Sequence, residues 1–302
     1  MDKPSENEKK DFKESFAKWY DRNYKFLLII PFLFLILSFI SLGYTYAKTG
    51  DFIKKDISLT GGTSITVNGE PSENFESELK KNFADSSVRR LTDLRTNKVN
   101  SFIIETSAKP EEIQPAIEKL LDYELNEKNS NIEFTGSSLS SNFYKQLLTA
   151  LVISFILMSL VVFLLFRTFI PSIAVISAAL SDIIMSLALV NVLGMKISAA
   201  GIAAFLMLIG YSVDTDILLT TRALRRKELI LNQRIYSAFK TGILMTLTAL
   251  IAVTPIFFIV SGIPDSFRQI FIILAIGLFA DILNTWLTNA SLIKWYCEVK
   301  KI

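Results

Sequence analysis

The stretch ISAAGIAAFLMLIGYSVDTDILLTT, residues 197–221, is almost entirely apolar yet carries two acidic residues, Asp214 and Asp216. A helix of more than about 18 apolar residues is long enough to cross the hydrocarbon core of a bilayer, which is about 30 Å thick. Small residues recur in its first half and allow neighbouring helix backbones to approach closely. The stretch therefore predicts a tightly packed membrane-spanning helix that bears charge.

Apolar runs of comparable length predict five more spans: Phe26–Tyr46, Leu147–Phe166, Ile170–Leu193, Ala238–Ser261 and Phe267–Ile293. None of them alternates in the manner of a barrel strand, which leaves the helix as the form that satisfies its own backbone in lipid. The chain has 302 residues, 51% of them hydrophobic. Its mean hydropathy of +0.40 excludes a water-soluble domain, a coiled coil and a disordered chain. We predict an α-helical membrane protein with six transmembrane helices in a 1 + 5 arrangement.

The polar segment between the first two spans, residues 49–143, predicts a small α+β domain. Strands are expected at Thr63–Val67, Val88–Leu94, Val99–Thr106 and Ile132–Phe134, helices at Ser72–Phe83 and Pro110–Asn126, and a hairpin turn at Thr96-Asn97. The order β-α-β-β-α-β is that of the ferredoxin-like fold. The expected domains are a tail at 1–25, a helix at 26–48, the ferredoxin-like domain at 49–143, a five-helix bundle at 144–296 and a tail at 297–302.

The positively charged residues predict how the chain lies across the membrane. Seventeen Lys and Arg flank the spans on the side of both termini, whereas the short loops on the other side hold two, Lys196 and Arg268. Since cytoplasmic loops carry the excess of Lys and Arg, we expect both termini in the cytoplasm of a cell-membrane protein. Residues 49–143 are then extracytoplasmic.

The composition argues against several kinds of catalytic site. The chain has no histidine and a single cysteine, Cys297, so it lacks the residues for a His-based triad, a zinc cluster or an intrachain disulfide. It contains no GxxxxGK[ST] loop for a nucleotide. We therefore expect a protein that is not an enzyme and that holds no metal or cofactor.

Acidic residues within the spans are the candidate functional groups. Asp182 and Asp281 fall near the middle of their spans, and each central aspartate costs about 2.5–3.5 kcal/mol on insertion scales. Asp214 lies in the same half of the membrane as Lys240 of the next span, so the two form a possible pair. Asp216 lies about 200° around the helix from Asp214 and nearer the interface, so we expect it to be the more solvated of the two. The alternative for each buried acid is a structural hydrogen bond to a neighbouring helix.

Several motifs resemble the SecD/SecF family of protein-export membrane proteins, which belongs to the resistance-nodulation-division superfamily. The most specific is Gly210-Tyr-Ser-Val-Asp-Thr-Asp-Ile-Leu-Leu-Thr-Thr-Arg222, which includes Ser212 and is similar to the family's fourth-span signature. Leu59-Thr60-Gly61-Gly62-Thr63 is similar to the family's Gly-Gly-Thr turn, although Ser58 stands where Asp is common. Ser181-Asp182 resembles the third-span His-Asp, and Lys240-Thr241 stands where relatives place a basic residue before Thr. The form resembles that of the archaeal members of the family.

This resemblance implies a function in protein export. It implies that the chain pairs with SecD and uses the proton or sodium motive force to pull or release a secreted preprotein after the SecY channel, without nucleic acid. The implied ion-coupling residues are Asp214, Asp216, Lys240, Asp182 and Asp281. Relatives carry the fourth-span acid at different positions, so the resemblance leaves both Asp214 and Asp216 open as the ion carrier.

Three other functions remain open from the residues. One is an exporter of small molecules or lipids from the same superfamily, although the external segment is short for a binding vestibule. Another is an intramembrane aspartyl protease, for which Asp182 and Asp214 would pair, but the chain lacks a Pro-Ala-Leu motif. The third is a passive subunit that only stabilises a partner.

Overall fold

The computed structural model describes residues 20, 22–92, 99–225, 229–257 and 265–301. Within them, six helices are long and apolar enough to cross a membrane. These spans are Arg22–Thr49, Ser140–Phe166, Phe169–Val192, Ala199–Arg225, Leu231–Val253 and Phe267–Lys300. The prediction of six helical spans in a 1 + 5 arrangement is therefore confirmed.

The helices of the membrane bundle begin and end at identifiable residues. Their bounds are α1 (Ile29–Thr49), α5 (Ser137–Phe166), α6 (Phe169–Val192), α7 (Ala199–Arg225), α8 (Leu231–Val253), α9 (Asp265–Leu283) and α10 (Ala290–Lys300). A π-helical segment, Asn284–Asn289, joins α9 to α10, so the three form one continuous sixth span. The fifth span begins before the predicted Ala238 and ends before Ser261, because the chain changes to a 3₁₀ turn at Thr254–Phe257, which contains Pro255.

The segment between α1 and α5 forms the predicted ferredoxin-like domain. Its elements are α2 (Ile57–Thr60), β1 (Gly62–Asn68), α3 (Phe75–Asn82), β2 (Ser87–Thr92), β3 (Val99–Thr106), α4 (Pro110–Leu121) and β4 (Ser130–Thr135). The four strands make an antiparallel sheet in the order β2-β3-β1-β4. Apolar side chains such as Ile65, Phe102 and Ile113 pack between the sheet and the two longer helices. The predicted turn at Thr96-Asn97 and most of the N-terminal tail lie outside the described residues.

The centre of the bundle is built from α6, α7 and the sixth span. More than half of the most apolar part of each is buried, whereas α5 buries almost none of its own. Small residues permit this packing: a Cβ at Gly201 would lie 2.4 Å from the Gln269 side chain, and one at Gly277 would lie 2.4 Å from Leu208. The polar residues of these three spans are consequently held away from lipid, against one another.

The α+β domain contacts the bundle through the chain that links α1 to β1. The backbone N–H of Asp56 donates to the carbonyl of Ile197, in the connection between α6 and α7, at 3.0 Å. The backbone N–H of Ala199 donates to Ser58 Oγ at 3.1 Å. Residues 56–58 and 197–199, which are distant in sequence, thus meet beneath the sheet and form the surface on which the domain rests. We call this contact surface the seat.

Candidate functional site

Three aspartates lie together in the middle of the bundle, each from a different span. Asp182 of α6, Asp216 of α7 and Asp281 of α9 are all fully buried, with 0% of their surface exposed. Small and apolar neighbours on each helix explain why these positions face the interior. Ser, Thr and Asn side chains of the same spans make most of the hydrogen bonds to the three carboxyl groups.

Asp182 is fixed by one partner from each of the two facing spans. Ser212 donates its hydroxyl to Asp182 Oδ2 in a short hydrogen bond. The amide of Asn284 donates to Asp182 Oδ1 at 2.7 Å. Both carboxylate oxygens therefore have a neutral donor. This hydrogen bond satisfies the buried hydroxyl of Ser212, a residue of the fourth-span signature.

Asp281 lies among three threonine hydroxyls. Thr215 Oγ1 is 3.0 Å from Asp281 Oδ1 and 3.2 Å from Oδ2. Thr285 Oγ1 is 2.9 Å from Oδ1, and Thr246 of α8 is 3.5 Å from Oδ2. Thr215 also has the Ser212 carbonyl at 2.8 Å, so its single proton serves several acceptors. The Thr215 hydroxyl thus has more possible acceptors than the one proton that it can donate, so it cannot satisfy all of them at once.

Asp216 is held by the sixth span but only through one of its oxygens. Thr285 Oγ1 lies 2.9 Å from Asp216 Oδ1, and the amide of Asn289 donates to the same oxygen at 2.7 Å. The other oxygen, Oδ2, is buried and has no hydrogen-bond partner among the residues that the structure describes. A buried carboxylate oxygen without a donor is strongly unfavourable unless it carries a proton or contacts a cation.

The carboxyl oxygens of this cluster require more hydrogen-bond donors than the Thr285 hydroxyl can supply. The Thr285 hydroxyl has one proton to donate, yet its oxygen lies 2.9 Å from Oδ1 of both Asp216 and Asp281. If both carboxyls were ionised, one of these contacts would set two lone pairs against each other. Among the described residues, no Lys or Arg forms an ion pair with any of the three aspartates. A proton on one of the two carboxyl groups, or a cation beside them, would relieve this contact.

The π-helical segment supplies the polar partners of the cluster. Asn284, Thr285 and Asn289 are all buried and belong to this segment. An α-helix would place Asn284 and Asn289 about 140° apart around the axis, whereas the wider π turn brings them towards one side. Such segments occur frequently at functional sites. None of these three residues is among the candidates predicted from the sequence, although their polar side chains within an apolar span were an available signal.

The two candidate residues Asp214 and Lys240 occupy a different environment. Both side chains are exposed on the surface of the chain. No ion pair joins them in the described part of the structure. The expectation that Asp216 is the more solvated of the two fourth-span acids is wrong. Its side of α7 faces the sixth span, and the opposite side, with Asp214, faces outwards.

The remaining motif residues have structural positions that account for their residue types. Gly62 has φ +134°, and a Cβ there would lie 2.3 Å from the Thr106 carbonyl oxygen, so the turn after Gly61 requires glycine. Thr63 donates its hydroxyl to the Ala108 carbonyl. Arg222, at the end of the signature, donates to Thr241 Oγ1 at 2.9 Å and so joins α7 to α8.

Comparisons with known proteins agree on one family. A family model described as "Protein export membrane protein SecD/SecF, C-terminal" matches residues 116–299. The chain is 37% identical to the protein-export membrane protein SecF of Methanocaldococcus jannaschii, over 91% of this chain and 96% of that one. It is 34% identical to SecF of Pyrococcus furiosus, over 94% and 95% of the two chains.

A solved structure supports the same fold. The crystal structure of SecDF from Thermus thermophilus, a translocon-associated membrane protein, matches with a TM-score of 0.72 at 18% identity. The match covers 91% of this chain but only 38% of that chain. The present chain therefore has the fold of one part of a longer SecDF polypeptide.

Proposed function

Because this chain belongs to the SecD/SecF family of protein-export membrane proteins, we propose that it acts as the SecF partner of a SecD subunit. The chain is a multi-pass membrane protein of Sec-dependent export and not an enzyme. In this proposal the two subunits use the proton or sodium motive force to assist a preprotein that emerges from the SecY channel. Both termini lie in the cytoplasm and the α+β domain lies outside, in keeping with the distribution of Lys and Arg.

One observation carries the ion-coupling part of this proposal: Thr285 lies between two buried carboxyl groups that it cannot both satisfy. The proposed proton or sodium site is formed by Asp216 and Asp281, with Asp182 beside them. A proton on Asp216 or Asp281 supplies the missing donor, and its release leaves two like charges facing each other. The loaded and unloaded clusters then favour different packing of α7 against the sixth span.

The energy available for each ion is modest. Moving one elementary charge through 100 mV supplies about 2.3 kcal/mol. Several ions are then needed for a substantial pull on a preprotein. The α7 helix connects the acidic cluster to the α+β domain, since it contains Asp216 and begins at Ala199, next to the seat beneath the sheet. A movement of α7 would therefore also move the residues that contact the domain.

The exposed side of α7 supports the partnership with SecD. Met207, Tyr211 and Asp214 are exposed at helical spacing on a membrane span. An aspartate that faced lipid at this depth would cost about 2.5–3.5 kcal/mol, which favours a protein neighbour instead. In the proposal SecD covers this stripe and supplies the polar contacts of Asp214, and Lys240 lies at the same protein–protein boundary.

Gradient-dependent release of a secreted protein from membrane vesicles tests the proposal. Asp216→Asn and Asp281→Asn keep the side-chain size but remove the carboxyl, and each is expected to abolish most of the gradient-dependent release, because an amide cannot bind and release a proton in this range of pH. SecD association, measured by co-purification in the same samples, should stay normal.

Asp214→Asn serves as the matched control two residues away. We expect it to weaken co-purification with SecD and to lower release only in proportion to that loss. Normal release in both Asp216→Asn and Asp281→Asn would refute ion coupling at the cluster. Full loss of release in Asp214→Asn with an intact SecD complex would instead identify Asp214 as the ion-carrying residue.

A further inference from the structure

A second group of charged residues lies at the end of the bundle where the α+β domain rests on the membrane helices. Glu105, in the central strand β3, is 5% exposed although it has a charged side chain. Lys196, in the connection between α6 and α7, makes a short ion pair with this carboxylate. Lys196 also donates to Ser87 Oγ of β2 at 3.1 Å. One lysine of the bundle is therefore bonded to two strands of the domain.

Lys196 is itself held from the bundle side. Gln269 of α9 donates its side-chain amide to the Lys196 carbonyl in a short hydrogen bond. The Gln269 carbonyl oxygen accepts from the backbone N–H of Ser198 at 2.8 Å and from its hydroxyl at 2.5 Å. Because Gln269 is almost fully buried, the connection that carries Lys196 has little freedom to move independently of α9.

A second acid approaches Glu105 from the linker between α1 and β1. Asp56 accepts a hydrogen bond from the Ser58 N–H at 3.0 Å. Burial, and then the adjacent Glu105 carboxylate, raise the pKa of Asp56 to about 6. Asp56 therefore lies beside Glu105 and is also joined to the bundle by its backbone hydrogen bond to the Ile197 carbonyl.

Two other charged groups near this contact have partners of their own: Lys54 donates to the Asn191 carbonyl at 3.2 Å, and Lys55 pairs with Asp51. A third, Arg89 of β2, lies 4.0 Å from the Glu105 carboxylate. Among the described residues, Glu105 is therefore the charged group that acts on Asp56 directly, and Lys196 and Arg89 act on it through Glu105.

We propose that the Glu105–Lys196 pair docks the α+β domain on the membrane bundle, and that protonation of Asp56 tightens this docking. With Asp56 neutral, Glu105 keeps Lys196 without a competing negative charge beside it. With Asp56 ionised, the two adjacent carboxylates repel each other, so the domain is released more readily.

The direction of the pH dependence follows from linkage. Docking favours the protonated form, because the docked Asp56 has a pKa of about 6 against an ordinary value of 3.8. Docking is therefore weakest above pH 6 and strengthens as the pH falls below it. The ratio of docked to undocked protein is expected to rise about tenfold between pH 7 and pH 5.

Distance measurements between spin labels on the full-length protein in lipid nanodiscs test this inference. One label is placed at Lys119, exposed on α4, and the other at Val192, exposed at the end of α6, after replacement of Cys297 by Ala. We expect a narrow docked population that grows as the pH is lowered from 7 to 5. In Lys196→Met the distances should broaden at pH 7 and narrow again, in part, at pH 5.

Asp56→Asn distinguishes the proposed cause from general effects of acid. It is expected to stay docked at every pH and to lose the pH response, whereas Asp51→Asn, in the same linker, should keep it. Unchanged narrow distances in Lys196→Met would refute the docking pair. A pH response that persists in Asp56→Asn, or is absent from both the unsubstituted chain and Lys196→Met, would refute the control by Asp56. Neither result depends on ion coupling at Asp216 and Asp281.

Discussion

Thr285 lies between Asp216 and Asp281, with its hydroxyl oxygen 2.9 Å from one oxygen of each. A single hydroxyl proton cannot satisfy two ionised acceptors. The contact therefore ties the protonation of a fourth-span residue to that of a sixth-span residue. It also makes Thr285 a more informative target than either acid, because its own charge does not change.

Replacing Thr285 by Val should disconnect the two acids while preserving the side-chain shape. Loss of a hydroxyl that serves a buried charged group is expected to lower stability by about 1.5–3 kcal/mol. It should also shift the pH dependence of gradient-driven release. Thermal unfolding in detergent and vesicle release measure the two effects. Thr248→Val, whose hydroxyl only reaches the Met245 carbonyl on an exposed face, should change neither.

Gly242 sits directly against the π-helical segment, so an added methyl group tests how closely that segment is packed. A Cβ at Gly242 would lie 2.5 Å from the ring of Trp286. Since the Trp286 side chain is buried and packs edge-to-face on Phe239, Gly242→Ala is expected to destabilise the bundle by about 1–3 kcal/mol. Gly43→Ala, at an open position in α1, should be neutral or slightly stabilising. Equal melting temperatures for the two variants would contradict this packing.

Gly62 should be the least replaceable residue of the domain turn. Its φ of +134° and the 2.3 Å approach to the Thr106 carbonyl combine backbone strain with a steric clash. Gly69 has a similar φ of +121° but open space around it. We expect Gly69→Ala to lose about 1–3 kcal/mol from strain and Gly62→Ala to lose more than this. Limited proteolysis of the domain in the full-length protein compares them, and an equal loss would show that the clash is relieved by movement of β3.

Asp85 should stabilise the domain at neutral pH and cease to do so in acid. Hydrogen bonds from the Ser107 hydroxyl and backbone N–H, at 2.5 and 2.6 Å, lower its pKa below the ordinary 3.8. A lowered pKa means that the stabilisation is present above pH 3.8 and is lost as the pH falls through the folded-state value. Asp85→Asn should therefore unfold more readily than the unsubstituted chain at pH 7, and this difference should shrink as the pH falls below 3.8. A difference that stays constant in acid would assign the effect to shape and not to charge.

Hydropathy and alternation were sufficient to predict the six spans and the order of the α+β domain. The apolar runs are long, and the strand pattern around Ile65 has the period of a half-buried sheet. Both signals are local, and for that reason they can be recognised without knowing which helices meet. The end of the fifth span was less predictable, since the apolar run continues past Pro255 after the α-helix has stopped.

The arrangement of the acids could not be predicted in the same way. The sequence places Asp214 and Asp216 on opposite sides of α7, but which side faces the core depends on α6 and the sixth span. The partners of Asp216 come from a π-helical segment, and the α-helical spacing assumed for the sixth span separates Asn284 from Asn289. The roles of Asp182, Asp214, Asp216, Asp281 and Lys240 in ion coupling remain predictions for the experiments above.

The seat beneath the sheet has a consequence for biosynthesis. Ser58 and Ala199, which meet there, are separated by 141 residues of sequence. At a synthesis rate of about 5–20 residues per second, the ribosome needs on the order of ten seconds to make the second half of the seat after the first. All four strands end before Gly136, so the sheet is complete in the nascent chain long before its support exists. The domain therefore has time to fold as an independent unit before the part of the bundle that contacts it has been synthesised.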